Sequence, residues 1–281
     1  MSDGQKVIKY LAIALAIFLS VNIIGGIIKI SLIALGAFGV IEYIDDTKEV
    51  YEGKVISYSE NSKDIKKLKI ECDISKLVIK NGEEFKVDAG NVTDKFVSKI
   101  TGNTLTIKDN KSIGIFINDN INSEITIYIP ENFRFEEVEI KTGAGEVNIS
   151  DLNTKKLDLE LGAGNVSINN IQVEKETRID GGVGKVDIKQ AEFSNLDLDV
   201  GVGNFEMSAK LEGNSKIDSG IGKLSLNLIG SKDEYRILTS TGIGKFTIDG
   251  KQVQDGNKYG SGDSYIKITS GIGETKVTYN R

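Results

Sequence analysis

Apolar residues follow two different patterns along this chain. From Tyr10 to Ile28 they form an unbroken run without charge, in which only Ser20 and Asn22 are clearly polar. As a helix rising about 1.5 Å per residue, such a run spans the roughly 30 Å core of a bilayer. Lys29 interrupts it, and a second apolar stretch continues from Ile30 to Ile41. Beyond about residue 67 apolar and polar positions alternate instead, the period-2 signature of half-buried strands.

The charges around the first pattern predict its orientation. Lys6 and Lys9 precede it, whereas Glu42, Asp45 and Asp46 follow. Positive flanks stay in the cytoplasm, so residues 1–45 read as a single-pass anchor with a cytoplasmic N-terminus and an extracytoplasmic remainder. Its lipid contact runs through residues 10–28, extending to 41 if Lys29 snorkels to the headgroups. Two alternatives stay open. A cleaved signal peptide fits the apolar run, although no A-x-A-like site follows it promptly. A hairpin turning at Gly25-Gly26 would return the chain to the cytoplasm, with arms of only ~15 residues. Residues 46–67 then form a charged connector.

The second pattern carries a repeat. Gly143-Ala144-Gly145, Gly162-Ala163-Gly164, Gly182-Val183-Gly184, Gly201-Val202-Gly203, Gly220-Ile221-Gly222, Gly242-Ile243-Gly244 and Gly271-Ile272-Gly273 share one form. Their first glycines recur at a near-constant interval as far as Gly220, then at wider intervals to Gly242 and Gly271. A period of roughly 20 residues points to a solenoid. The apolar parity also shifts across each unit, as in Leu157, Leu159 and Leu161 before Gly162, then Val166 and Ile168 after Gly164. One residue is thus inserted between two strands at a corner, where glycine relaxes the φ restriction. The residue between the glycines keeps the parity of the preceding strand. On that reading the column Ala, Ala, Val, Val, Ile, Ile, Ile is a core ladder pointing inward.

Leu68, Ile70, Cys72 and Ile74, then Leu77 and Ile79, repeat the same phase with Asp73 and Ser75 in place of the glycines. They predict a degenerate rung with Cys72 buried as a small hydrophobe. The fold expected for 68–281 is therefore all-β, a parallel β-helix with ~20-residue coils about 4.8 Å apart. An antiparallel sandwich also alternates, but it gives no reason for one corner chemistry at one spacing.

Composition narrows the chemistry. The chain has 281 residues, no His, one Cys and a net charge of -6. Without His there is no Ser-His-Asp or Cys-His arrangement, and one Cys makes neither a disulfide nor a thiolate zinc site. An acidic chain without a basic stripe is a poor nucleic-acid partner. Gly182-Val183-Gly184-Lys185 lacks the spacing and the hydroxyl residue of a P-loop, and no helix pattern follows any Gly-x-Gly unit to make a dinucleotide site. The single Gly181–Asp187 string has its Asp one place too late for a calcium nonapeptide. No cofactor is expected and no catalytic residue stands out. Carboxylate pairs of the kind that cleave polysaccharides stay open as a lesser reading, since Asp and Glu total 41.

One polar column is distinctive. Two places before each first glycine stand Lys141, Glu160, Asp180, Asp199, Asp218, Ser240 and Thr269. Glu160, Asp180, Asp199 and Asp218 would stack as neighbouring carboxylates, which repel unless water, cations or a basic partner relieve them. The column is either solvated surface screened by Lys185, Lys223 and Lys245, or a weak site for divalent cations or a cationic ligand.

The strand Ile125–Ile129 with Pro130, followed by a charged step into Gly143-Ala144-Gly145 and the serial Gly-x-Gly pattern, resembles the bacterial "putative adhesin" family. That family is grouped with toastrack domains linked to envelope stress. The resemblance covers Leu68 to Arg281 and implies an extracytoplasmic, non-catalytic module with no catalytic residues to carry over. Two roles follow: adhesin-like binding of envelope polymer or a protein partner, or sensory partnership in a stress system. The oligomeric state stays open.

Overall fold

The computed structural model describes residues 54–57, 64–92, 95–109 and 123–280. The apolar runs at 10–28 and 30–41, and most of the 46–67 connector, lie outside the described residues. Among the described residues no helix is long and apolar enough to cross a membrane.

The described residues form an all-β solenoid, a sixteen-stranded sheet that does not close. Its rungs pair in parallel and in register. Asp180 lies beside Asp199 and Asp199 beside Asp218, while Gly184, Gly203, Gly222 and Gly273 form one row. The strand Glu137–Ser194 runs for 58 residues because the chain bends at its corners without leaving the ladder. A single rung has too little apolar surface to fold alone, so each buries its inner face against its neighbours. In the rung at 177–193 the interior receives Ile179, Val186, Ile188, Ala191 and Phe193, all nearly fully buried.

The degenerate rung lies where its phase predicts. Lys67–Gly82 pairs in parallel with 137–149, placing Ile74 beside Ala144 and Ser75 beside Gly145. Cys72 is buried.

Spatial order departs from chain order at both ends. Thr104–Asp109 and Ser123–Pro130 pair with the opposite edge of Lys67–Gly82, so a later segment lies outside an earlier one. At the far end Ser264–Thr269 and Ile272–Asn280 sit between Asn214–Ile229 and the strands Tyr235–Ser240 and Ile243–Ile248. The wider spacing from Gly220 to Gly242 and on to Gly271 thus reflects a crossing out to the last rung and a return. Short antiparallel strands cover both outer edges. Lys86–Gly90 and Val97–Thr101 cover one, and Lys251–Gln252 and Lys258–Tyr259 cover the other. Such caps blunt exposed edges that would otherwise template further pairing. Phe85, Phe133 and Phe135 pack edge to face under the first cap, with Phe85–Phe133 and Phe133–Phe135 centroids 4.7 and 4.8 Å apart.

The corner glycines are required twice over. The second of each pair has φ between +133° and +143°, a region closed to residues with a Cβ. A Cβ on Gly203 would also lie 2.0 Å from the carbonyl oxygen of Gly184 in the rung below. Gly203→Ala should therefore cost about 3 kcal/mol or more. Gly90, with open space around its Cβ position and no positive φ, should accept Ala within about 0.5 kcal/mol. Thermal unfolding of the full chain distinguishes the two. Equal melting shifts would remove the close approach as the reason for glycine.

Candidate binding surface

The inward ladder expected between the glycines is overturned. Val183 is 58% exposed, Val202 46%, Ile221 50% and Ile243 46%, the only large hydrophobics strongly exposed among the described residues. Ala163 is exposed as well, and Ala144 and Ile272 are half-buried. Parity carries inward and outward directions across a corner only where the pleat continues through it. Instead the chain turns at the glycines, so the middle residue stands at the convex apex. In space the column runs Val183, Val202, Ile221, Ile272, Ile243. Stacked at about 4.8 Å, these side chains make an aliphatic ridge one residue wide.

The acidic column lies on the face before the ridge. Glu160 pairs with Lys141 at 2.7 Å, Asp180 with Arg178 at 2.9 Å and Asp218 with Lys216 at 2.5 Å. Asp199 lies between Asp180 and Asp218 without an ion-pair partner among the described residues. Toward the N-terminal end the same face carries an alternating lattice: Lys67–Glu137 at 2.6 Å, Lys69–Glu139 at 2.9 Å and Lys108–Glu71 at 2.5 Å. The like-charge stack is thus relieved at Asp180 and Asp218 by a base two places back on the same strand, a relation already present in Arg178-x-Asp180 and Lys216-x-Asp218, and at Glu160 by Lys141 of its own column. No three acidic, Cys or His side chains among the described residues converge to hold a metal ion.

The titration of the face follows from these contacts. Burial pushes the Asp218 carboxyl up, but hydrogen bonds from Lys216 and Thr269 and the charge of nearby lysines outweigh it and hold the pKa below the ordinary value. For Glu71 the hydrogen bond from Lys108 leads, and the pKa is again lowered. Asp158 behaves oppositely: burial raises its pKa, only partly offset by Arg178, and its Oδ1 is buried without a hydrogen bond.

The interior offers little chemistry. The cavity behind the corner measures about 20 Å³, room for one water at most. Burial and the neighbouring Asp109 push the Cys72 thiol up to about 12, so it stays protonated and unreactive at neutral pH. Asp109 and Ser123 are fully buried, and the Ser123 hydroxyl donates to the Asp109 carboxylate. An open groove of about 560 Å³ lies beside the ridge, lined by Glu71, Lys141, Glu160 and Asp180 among others. Binding at the surface, by apolar contact along the ridge and charge along its flank, is what this arrangement can do.

Two outcomes follow. Because Asp158 has a raised pKa in the folded state, its charge opposes folding above that pKa and the penalty fades as the group protonates. Asp158→Asn should stabilise the chain by a few tenths of a kcal/mol at pH 7, after allowance for solvent screening, with the gain vanishing near pH 3. Melting curves against pH test this, and a gain that grows on acidification would contradict it. Ile221→Ser removes an exposed side chain and should shift stability by less than about 0.5 kcal/mol. A core position would lose several times more in the same melt.

The chain has counterparts of known structure. Residues 65–278 match the model of the Toastrack DUF4097 family. A "putative cell adhesion protein" from Clostridium sporogenes is similar at 17% identity, over 82% of this chain and 99% of its own, with a TM-score of 0.37. A "putative adhesin" from Bacteroides fragilis is 14% identical over 80% of this chain and 97% of its own, with a TM-score of 0.28. A "putative lipid binding protein" from Parabacteroides distasonis is 16% identical over 80% of this chain and 96% of its own, at a TM-score of 0.37. Among curated proteins none matches. The match over 65–278 covers most of the chain, which belongs to the Toastrack DUF4097 family.

Proposed function

We propose that this protein is a membrane-anchored, extracytoplasmic interaction module of the bacterial cell envelope. It is non-catalytic and adhesin-like, and it presents the corner of the parallel β-helix as its binding surface. The observation that carries the reading is the exposed aliphatic ridge of Val183, Val202, Ile221 and Ile243. Contiguous exposed apolar surface on a folded domain marks an interaction site more often than it marks chance. The charged face beside the ridge adds orientation, since complementary charge selects and steers a partner more than it adds affinity. The anchor is the 10–28 run, with its basic flank inside and its acidic flank outside.

Protease added to intact protoplasts should remove everything beyond Asp45, whereas full protection would favour the membrane hairpin. Cells producing the wild-type chain should retain isolated envelope fragments better than cells producing Ile221→Asp with Ile243→Asp at equal surface level. Equal retention would separate the ridge from binding.

A further inference from the structure

The rows nearest the ridge differ in sign on its two flanks, although Glu160, Asp180 and Asp218 each have a base on their own face, and that asymmetry identifies what can cover it. Two places after the apex stand Lys185, Lys223 and Lys245, with Asn204 between Lys185 and Lys223, Glu274 between Lys223 and Lys245, and Asn165 on the rung before Lys185. Three places before the apex stand Glu160, Asp180, Asp199 and Asp218. Lys185 and Lys245 are exposed and Lys223 half-buried, while Asp199 is exposed and Asp180 and Asp218 are half-buried. The ridge is therefore an apolar line between a lysine-bearing strip and an acidic one.

We infer that the ridge is a self-association surface, on which two copies of this chain pair side by side and parallel. The choice of partner follows from symmetry. When two identical ridges face each other, a two-fold axis along the ridges sets the lysine strip of each copy over the acidic strip of the other. A two-fold axis across the ridges sets acid over acid and lysine over lysine, which repel. An anionic bilayer surface would meet the acidic strip as well as the lysines. Only the parallel pair satisfies apolar line and both flanks together, and it is isologous and closed, so it stops at two.

In that pair each apex meets its own counterpart: Val183 to Val183, Val202 to Val202, Ile221 to Ile221. Lys185 of one copy lies over the Asp180–Asp199 segment of the other, where Asp199 has no ion-pair partner among the described residues. Lys223, which reaches Glu206 at 3.7 Å within its own copy, lies over Asp218, which Lys216 already pairs. The contact is about 20 Å long for five rungs at 4.8 Å, which leaves it below the roughly 1,200 Å² typical of stable complexes. The pair is accordingly weak in dilute solution and is favoured when both copies are confined to one membrane, where local concentration replaces affinity. The pairing itself needs no anchor; it rests on the proposed function only for that confinement. Parallel copies also bring the first described strands, Lys54–Ser57, to the same end, as a shared membrane requires.

Cysteine cross-linking of the full chain in its native membrane tests the pairing. Cys72 is buried and its thiol is held protonated, so the wild-type chain serves as the unreactive background. Val183→Cys, Val202→Cys and Ile221→Cys should each form disulfide-linked dimers under mild oxidation, several-fold above Ser167→Cys, an exposed position off the ridge. Adding Lys185→Glu with Lys223→Glu to Val202→Cys should lower its dimer yield several-fold. Dimers at position 202 alone would mean an antiparallel pair and overturn the inference. Yields no higher than for Ser167→Cys, or no response to the charge reversal, would overturn it too. The protoplast and envelope-retention results are read independently. Retention that depends on the ridge without ridge cross-linking would sink the pairing and leave the proposed function standing.

Discussion

The fold depends on how closely the backbone of one rung approaches the next at the glycine corner. In the seven Gly-x-Gly units, a Cβ placed on either glycine would fall 1.7–2.2 Å from a carbonyl oxygen of the adjoining rung. No side chain fits in that gap, so the corner is backbone resting on backbone. The contact fixes the register of each glycine-bearing rung to its neighbour, because slipping one residue would drive an alanine, valine or isoleucine into the space. It also forces the chain to turn through a positive φ at the second glycine, and this turn is what puts the middle residue on the outside. The ridge is thus a consequence of the corner, and the corner cannot be kept without presenting whatever stands between its glycines.

In-register stacking has a second consequence, in electrostatics. Each position along a rung becomes a column, and any charge repeated at the period meets its own kind about 4.8 Å away. The charged face answers this with a lattice. Lys69 bridges Glu71 and Glu139 at 3.3 and 2.9 Å, while Lys141 reaches Glu160 at 2.7 Å and Glu139 at 3.5 Å. The acidic run is tolerated because Lys141 caps its column at Glu160 and Arg178 and Lys216 stand beside Asp180 and Asp218 in the adjacent column.

Much of this was legible in the sequence, and the failures have physical causes. Glycine spacing disclosed the solenoid, and apolar phase alone located the degenerate rung at Asp73 and Ser75. The direction of the apex residues was not legible from parity, because parity counts pleats and a positive-φ turn is not a pleat. A second corner went unread: Asn132, Asp151, Asn170 and Gln190 have φ of 59°, 57°, 55° and 50°. Asn and Asp tolerate that conformation better than most residues. Asn132, Asp151 and Asn170 recur at the same interval that separates Gly143 from Gly162, so the signal was present. The order of the last two rungs was hidden, since the same glycine spacings suit either order. Arg178 and Lys216 were visible two residues before Asp180 and Asp218, but stacking had to be known before Lys141 counted as a neighbour of Glu160.

The account is tested most directly by asking which rung lies beside which at the corner. Ile221 pairs with Ile272, and Ile272 with Ile243, so Ile221 and Ile243 are two rungs apart. Adjacent rungs at about 4.8 Å fall inside the Cα separation a disulfide accepts, whereas two rungs at roughly 9.6 Å do not. The double variant Ile221→Cys with Ile272→Cys should form an intramolecular disulfide readily under mild oxidation, seen as a loss of free thiol in the monomer. Ile221→Cys with Ile243→Cys should not. The reverse pattern would contradict both the rung order and the glycine stacking that sets it.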